Sequence, residues 1–223
     1  MTARGFVFDV DGTIVDNMPF HVKAFEIFTE RHAIPPLTKE KRARLDGMRN
    51  REILPILFDR SLTEDEILSL AEEKESVYRE LSRGRLTPLR GLRELLDAAD
   101  RHGVRVALAT SAPEKNVQHT LSELGLYDRL ATVVRSDTVP RGKPFPDVFL
   151  AAARAIDVAP GECIGFEDAP AGIRAVRAAG MTCVAVTTNF SGVELEAHDA
   201  PAEHVVADFA EYLQGPGAWL TGL

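Results

Sequence analysis

Asp9 and Asp11 close an apolar run, Phe6-Val7-Phe8-Asp9-Val10-Asp11, with Gly12 and Thr13 following. A strand sends alternate side chains to opposite faces, so two acids one residue apart share a face where the strand ends. Paired carboxylates there suit two tasks. They bind a hard cation through oxygen, and one of them can attack phosphorus to give an acyl phosphate. Gly12 permits the tight turn that ends the strand. Taken alone, the pattern also describes a strand end carrying two solvated acids.

Three later segments offer what such a pair lacks. The run Ala107-Leu108-Ala109 ends in Thr110-Ser111. A hydroxyl and backbone N–H groups before a helix can meet a phosphate oxygen, or simply cap that helix. Lys143 stands in Arg141-Gly142-Lys143-Pro144-Phe145-Pro146-Asp147, where prolines fix a loop before a helix. It can neutralise both a phosphate and the carboxylate that attacks it, or be a surface cation. Glu167-Asp168 follow another apolar run and precede Pro170. They repeat the logic of the first pair, although acids near a helix N-terminus can be simple caps. A nucleophile, a second carboxylate, a hydroxyl, a lysine and a further acid pair together serve phosphoryl transfer. Catalysis there is mainly positioning and charge neutralisation, and Mg²⁺ is the expected metal.

The elements that must position these groups are legible as alternation. Short apolar runs at 5–10, 104–109, 132–135, 162–165 and 182–186 read as buried parallel strands. Helical patterns at 89–102, 113–124, 145–156 and 169–179 separate the later ones, with Gly125 and Gly180 at expected helix ends. The fold class is therefore α/β, a doubly wound parallel sheet, and ligands of such sheets collect outside the carboxyl ends of the strands. Residues 17–87 differ. They contain helical patterns at 19–32, 38–45, 49–58 and 63–83 and no good strand. The expected organisation is a core of residues 1–16 and 88–223 with an all-helical cap, 17–87, inserted between the first two strands. The brief linkers at 14–17 and 84–88 are natural hinges.

The totals narrow the partners. The 223 residues carry a net charge of -8, without a basic run that would suit nucleic acid. No apolar stretch is long enough to span a membrane, and no leader peptide is visible. Cys163 and Cys183 lie in apolar runs and are expected as buried thiols. A cytoplasmic, monomeric protein acting on a small phosphorylated metabolite is the expectation, with no nucleic acid and no membrane involved.

The segments Asp9-Val10-Asp11-Gly12-Thr13, Thr110-Ser111, Lys143-Pro144 and Glu167-Asp168, in this order and spacing, resemble the haloacid dehalogenase superfamily, in the branch with a small helical cap. The resemblance implies that Asp9 is the nucleophile and Asp11 the general acid and base. It implies that Thr110, Ser111 and Lys143 hold the phosphoryl group. It also implies that Mg²⁺ is held by Asp9, the Asp11 main-chain carbonyl and Asp168, with Glu167 helping directly or through water. Within the superfamily the chain is similar to the β-phosphoglucomutase-like proteins, which include mutases and sugar-phosphate phosphatases. That similarity marks cap residues for the substrate: His21 after Asp16-Asn17-Met18-Pro19-Phe20, Gly47, Arg49 and Arg51 in Gly47-Met48-Arg49-Asn50-Arg51, and Lys74 one turn before Tyr78.

A mutase must grip a second phosphate. In the sugar-phosphate mutases part of that grip is a polar, basic loop after the hydroxyl motif, and here the loop reads Ala112-Pro113-Glu114. A phosphatase acting on a sugar phosphate is therefore favoured over a mutase, with hydrolysis of inorganic pyrophosphate or a catalytically inactive binding relative as further readings. A receiver-like signalling domain shares the acids, hydroxyl and lysine but needs no cap. A nucleotide-dependent dehydrogenase needs a glycine-rich turn after the first strand, and here acids stand in its place.

Overall fold

A computed structural model describes residues 3–196 and 201–221 of the chain. The outer ends of the expected core, 1–2 and 222–223, lie outside the described residues. Strand β1 (Gly5–Phe8) is buried along its whole length, as its unbroken apolar sequence requires when both faces of a sheet are covered. The chain then runs through four helices, α1 (Met18–Arg31), α2 (Lys39–Leu45), α3 (Asn50–Phe58) and α4 (Glu64–Ser82). It returns to the sheet side at Pro88, which pairs with Val15 in an isolated bridge. From there helices and strands alternate: α5 (Leu92–His102), β2 (Arg105–Thr110), α6 (Glu114–Leu124), β3 (Val133–Arg135), α7 (Asp147–Ala155), β4 (Cys163–Glu167), α8 (Pro170–Ala178), β5 (Thr182–Val186), α9 (Gly192–Glu196), β6 (His204–Val206) and α10 (Phe209–Gln214).

The six strands form one parallel sheet in the order β3-β2-β1-β4-β5-β6. Alternation divides the core. Phe6 and Phe8 join Leu95, Leu121 and Phe209 on one face, and Val7 joins Phe149, Ile173 and Val176 on the other. Strand order reverses at β1, so a crevice opens at the carboxyl ends of β1, β2 and β4, the switch point of such sheets. The helices before β2 pack around apolar clusters of their own, Phe28 with Ile53 and Leu54, and Ala24 with Val77 and Tyr78. A capping box fixes the start of α4: the Thr63 hydroxyl accepts from Glu66 N–H, and the Glu66 carboxylate accepts from Thr63 N–H.

Five elements differ from expectation. β1 ends at Phe8 rather than residue 10, although Asp9 N–H still donates to Phe166 O at 2.9 Å. β4 continues to Glu167, which carries that residue into the crevice. The short edge strand β6 and helices α9 and α10 have no counterpart in the sequence reading. β6 is three residues long and begins with an exposed histidine, too little for a periodic signal. Both cysteines are free and buried. Among the described residues no helix is long and apolar enough to cross a membrane.

Candidate active site

Asp9, 6 % exposed, lies at the end of β1 beneath the helical insert. Its Oδ1 accepts from Lys143 Nζ at 2.5 Å, and the same ammonium donates to Glu167 Oε1 at 2.7 Å. The loop after β3, the end of β1 and the end of β4 thus meet on one buried lysine. The other Glu167 oxygen accepts from the N–H groups of Asp168 and Ala169, at 2.9 and 3.0 Å. Both oxygens of Glu167 are therefore engaged in holding Lys143 and the start of α8.

Three carboxylates, Asp9, Glu167 and Asp168, offer ligand atoms that all lie within 4.8 Å of one another, and each is buried. Burial, with Glu167 and Asp11 nearby, pushes Asp9 up to about 8 against the pull of Lys143. Burial and the neighbouring acids push Asp168 well above the ordinary range. One ammonium does not balance three acids, and the donors are all oxygen, so the cluster fits a hard divalent cation. Two glycines make room for it. A Cβ on Gly12, whose φ is +81°, would stand 2.2 Å from Asp168 Oδ2, and one on Gly172 would stand 1.7 Å from Glu167 Oε1.

Asp11 turns the other way, towards the helices. Its Oδ1 accepts from Asn17 Nδ2 at 2.6 Å and lies 3.6 Å from His21 Nε2. Burial opposes ionisation, yet His21, Asn17 and Lys74 together hold the Asp11 carboxyl below its ordinary value. The Asp11 side chain is not one of the three carboxylates of that cluster. Asn17 is a hub: its Oδ1 accepts from Gly12 N–H at 3.0 Å, and its amide also donates to the Tyr78 hydroxyl at 2.6 Å. The His21 ring stacks on Tyr78, centroids 3.8 Å apart.

Thr110, the last residue of β2, is 1 % exposed, and its Oγ1 accepts from Ala112 N–H at 3.0 Å. That bond leaves the hydroxyl hydrogen to donate elsewhere. Ser111 is committed differently. Its hydroxyl donates to Gly47 O at 2.7 Å, so its main-chain N–H is what it can offer a phosphate.

Asp9, Asp11, Thr110, Ser111 and Asp168 share a cavity of about 90 Å³ with His21, Gly47 and Lys74 from the helical insert. Arg49 and Arg51, expected beside the substrate, line no part of it. Arg49 is bound to Glu52 and donates to Ser136 O at 3.1 Å, strapping the α2–α3 loop to the sheet side. Arg51 pairs with Glu64 at the surface. The helix start turns the residue between them, Asn50, inward instead. Asn50 lines the cavity with Arg42, Asp46, Glu75 and Asn116, none of which the sequence singled out. Lys74 and Glu75, both nearly inaccessible, pair at 2.6 Å. Glu75 also accepts from Asn50 and Asn116, each at 2.7 Å.

Residues 6–186 match the model of the haloacid dehalogenase-like hydrolase family. The chain is 33 % identical to the β-phosphoglucomutase of Bacillus subtilis over 82 % of its own length and 83 % of that protein. It is 34 % identical to a fructose-1-phosphate phosphatase of Escherichia coli, over 82 % of this chain and 95 % of that protein. Its structure superposes on the crystal structure of a β-phosphoglucomutase from Clostridium difficile with a TM-score of 0.83 at 27 % identity, covering 99 % of this chain and all of that one. The chain belongs to the haloacid dehalogenase-like hydrolases, in the β-phosphoglucomutase-like subgroup.

Proposed function

Proceeding from that membership, we propose that the chain is a Mg²⁺-dependent phosphatase that hydrolyses a small sugar phosphate through an aspartyl-phosphate on Asp9. The observation that carries the reading is the convergence of Asp9, Asp11, Thr110, Lys143 and Asp168 on one crevice, with Asp9, Asp11, Thr110 and Asp168 lining one cavity. Asp9, Asp168 and the Asp11 main-chain oxygen would hold the cation. When bound, it neutralises phosphoryl oxygens and keeps Asp9 ionised. Residues 17–87 act as the cap that secludes the reaction.

Lys143 orients Asp9 and offsets charge on the transferring group. Thr110 donates its free hydroxyl hydrogen to a phosphoryl oxygen. Asp9 attacks phosphorus, and the bond from phosphorus to the sugar oxygen breaks. Asp11 gives that oxygen a proton. It takes that proton up from solvent as the substrate binds, because a phosphoryl dianion arriving beside it raises its proton affinity. Asp11 then takes a proton from the water that attacks the aspartyl-phosphate, releasing inorganic phosphate and restoring Asp9.

Hydrolysis is favoured over mutase chemistry by what stands after β2. Lys115 is drawn to Glu72 at 3.0 Å, and the Asn116 amide is occupied by Glu75 and Arg79. Lys115 lines no part of the cavity, and Asn116, which does, has its amide already committed. Phosphorus NMR with Mg²⁺, β-glucose 1-phosphate and a trace of the 1,6-bisphosphate separates the two. Growth of inorganic phosphate is the expected result, and growth of a 6-phosphate signal without inorganic phosphate makes the chain a mutase.

A further inference from the structure

Helix α2 is short, and its last backbone bond fixes what it presents. Asp46 N–H donates to Arg42 O at 2.9 Å, so the two side chains stand one turn apart, and both line the cavity. Asn189, in the loop after β5, donates to Asp46 Oδ2 at 3.1 Å. This fixes the carboxylate from the sheet side and leaves Oδ1 without a hydrogen bond among the described residues. Burial raises the Asp46 carboxyl, against Asn189 and Arg42.

Arg42 is the contrast. Its Nε is buried and has no hydrogen-bond partner. Its guanidinium makes no ion pair among the described residues, whereas Lys74 is satisfied by Glu75, Arg49 by Glu52 and Arg79 by Glu72. A buried donor left unmade costs about 1–3 kcal/mol, so an open donor in a cavity wall points to an acceptor brought by the ligand. The neighbouring wall is not built for a second anion. Glu75 keeps its negative charge there, held below its ordinary value by Lys74 and His21 despite burial.

Resting on the phosphatase reading above, we propose that Arg42 and Asp46 form a donor–acceptor pair that reads adjacent hydroxyls of the leaving group. The substrate class is then a monophosphate ester of a neutral polyhydroxylated alcohol, and a second phosphate or a carboxylate on the leaving group is selected against. A diol suits the pair because one hydroxyl accepts from the guanidinium while the next donates to Asp46 Oδ1. A hydroxyl-free ester leaves both groups unpaired.

The test compares wild type, Arg42→Gln and Asp46→Asn on two sets of esters. Fructose 1-phosphate, β-glucose 1-phosphate and glycerol 1-phosphate carry hydroxyls on the leaving group; propyl phosphate and p-nitrophenyl phosphate carry none. Each substitution is expected to lower kcat/KM on the hydroxylated esters by about ten- to hundredfold, mainly through KM, since hydrogen bonds to charged groups have about that worth. The ratio of kcat/KM on hydroxylated to hydroxyl-free esters should therefore fall about tenfold or more in each variant. Thermal unfolding of both variants accompanies the assay. Equal losses on both sets overturn the pair as a specificity device and leave it structural. Unchanged kinetics on both sets, a wild type without preference for hydroxylated esters, or a wild type that prefers fructose 1,6-bisphosphate also overturn it. A wild type that releases phosphate from no ester in either set overturns the phosphatase reading itself, so the two failures are distinct.

Discussion

The two walls of the cavity are built on opposite plans. On the sheet side the groups around Asp9 are held in place by one another. Lys143 joins Asp9 to Glu167, Glu167 spends its second oxygen on two backbone N–H groups, and Thr110 is oriented by Ala112. On the helical side the wall mixes a closed network with open groups. Lys74, Glu75 and Asn50 satisfy one another with the help of Asn116 from α6, while Arg42 and one oxygen of Asp46 stay open. Preorganised charge serves reaction, because groups already aimed at a developing charge need no rearrangement. Open groups serve recognition, because the ligand completes them. A phosphatase that keeps one chemistry and changes its substrate needs this division.

Substitutions should separate the two walls. Asp9→Asn keeps the shape of the sheet side and removes the proposed nucleophile. Steady-state phosphate release should fall on the order of 10⁴-fold or more with the thermal midpoint little changed; near-normal turnover would take the nucleophile role from Asp9.

Lys143→Met strikes the same wall through stability as well. It leaves Asp9 and Glu167 buried without their shared cation, and removing one partner of such a group costs about 3–5 kcal/mol. Urea unfolding measures the loss. A Mg²⁺ titration of the variant should recover part of it, because a cation bound to the native state alone stabilises that state. A variant as stable as wild type would mean that the buried acids are neutral and the lysine idle.

Glu75→Gln probes the satisfied part of the other wall. Lys74 and His21, helped by the amide of Asn50, hold Glu75 below its ordinary value of 4.5 against burial. The unfolded chain therefore takes up this proton first as pH falls. The contribution of Glu75 is complete above about 4.5 and is lost as pH drops from there through the lower folded value. Glu75→Gln should cost about 1–3 kcal/mol at neutral pH and flatten the stability profile below pH 4.5. An unchanged acid limb would show that the pair contributes nothing there.

Arg51→Ala should do least. Its partner Glu64 is exposed and so is Arg51, and such pairs contribute about 0–1 kcal/mol. Catalytic efficiency is expected to be unaltered, and a clear fall in kcat/KM would return Arg51 to the substrate site.

What could be read from the sequence follows the same division. Asp9, Thr110, Glu167 and Asp168 stand at or just past the ends of β1, β2 and β4, and the geometry of a parallel sheet brings such ends together whatever the rest of the chain does. Lys143 was legible because prolines bracket its loop. The helical wall was not, since a residue's facing there depends on how each helix is rolled against its neighbours. The roll of α3 points Asn50 inward and leaves Arg49 to Glu52 and Arg51 to Glu64. Arg42 lies within, and Asp46 just beyond, a charged stretch, Lys39-Glu40-Lys41-Arg42-Ala43-Arg44, in which nothing in the sequence sets one charge apart from the others. The edge strand β6 was too short to leave a pattern.

If Asp9 carries the phosphoryl group, that group can be trapped on it. The protein, mixed with Mg²⁺ and fructose 1-phosphate and quenched in acid within the first turnover, is digested and its peptides weighed. One added phosphoryl group is expected on the peptide containing Asp9, labile to hydroxylamine and absent from Asp9→Asn. Rapid phosphate release with no modified peptide, or with the modification on another residue, would contradict the aspartyl-phosphate on Asp9.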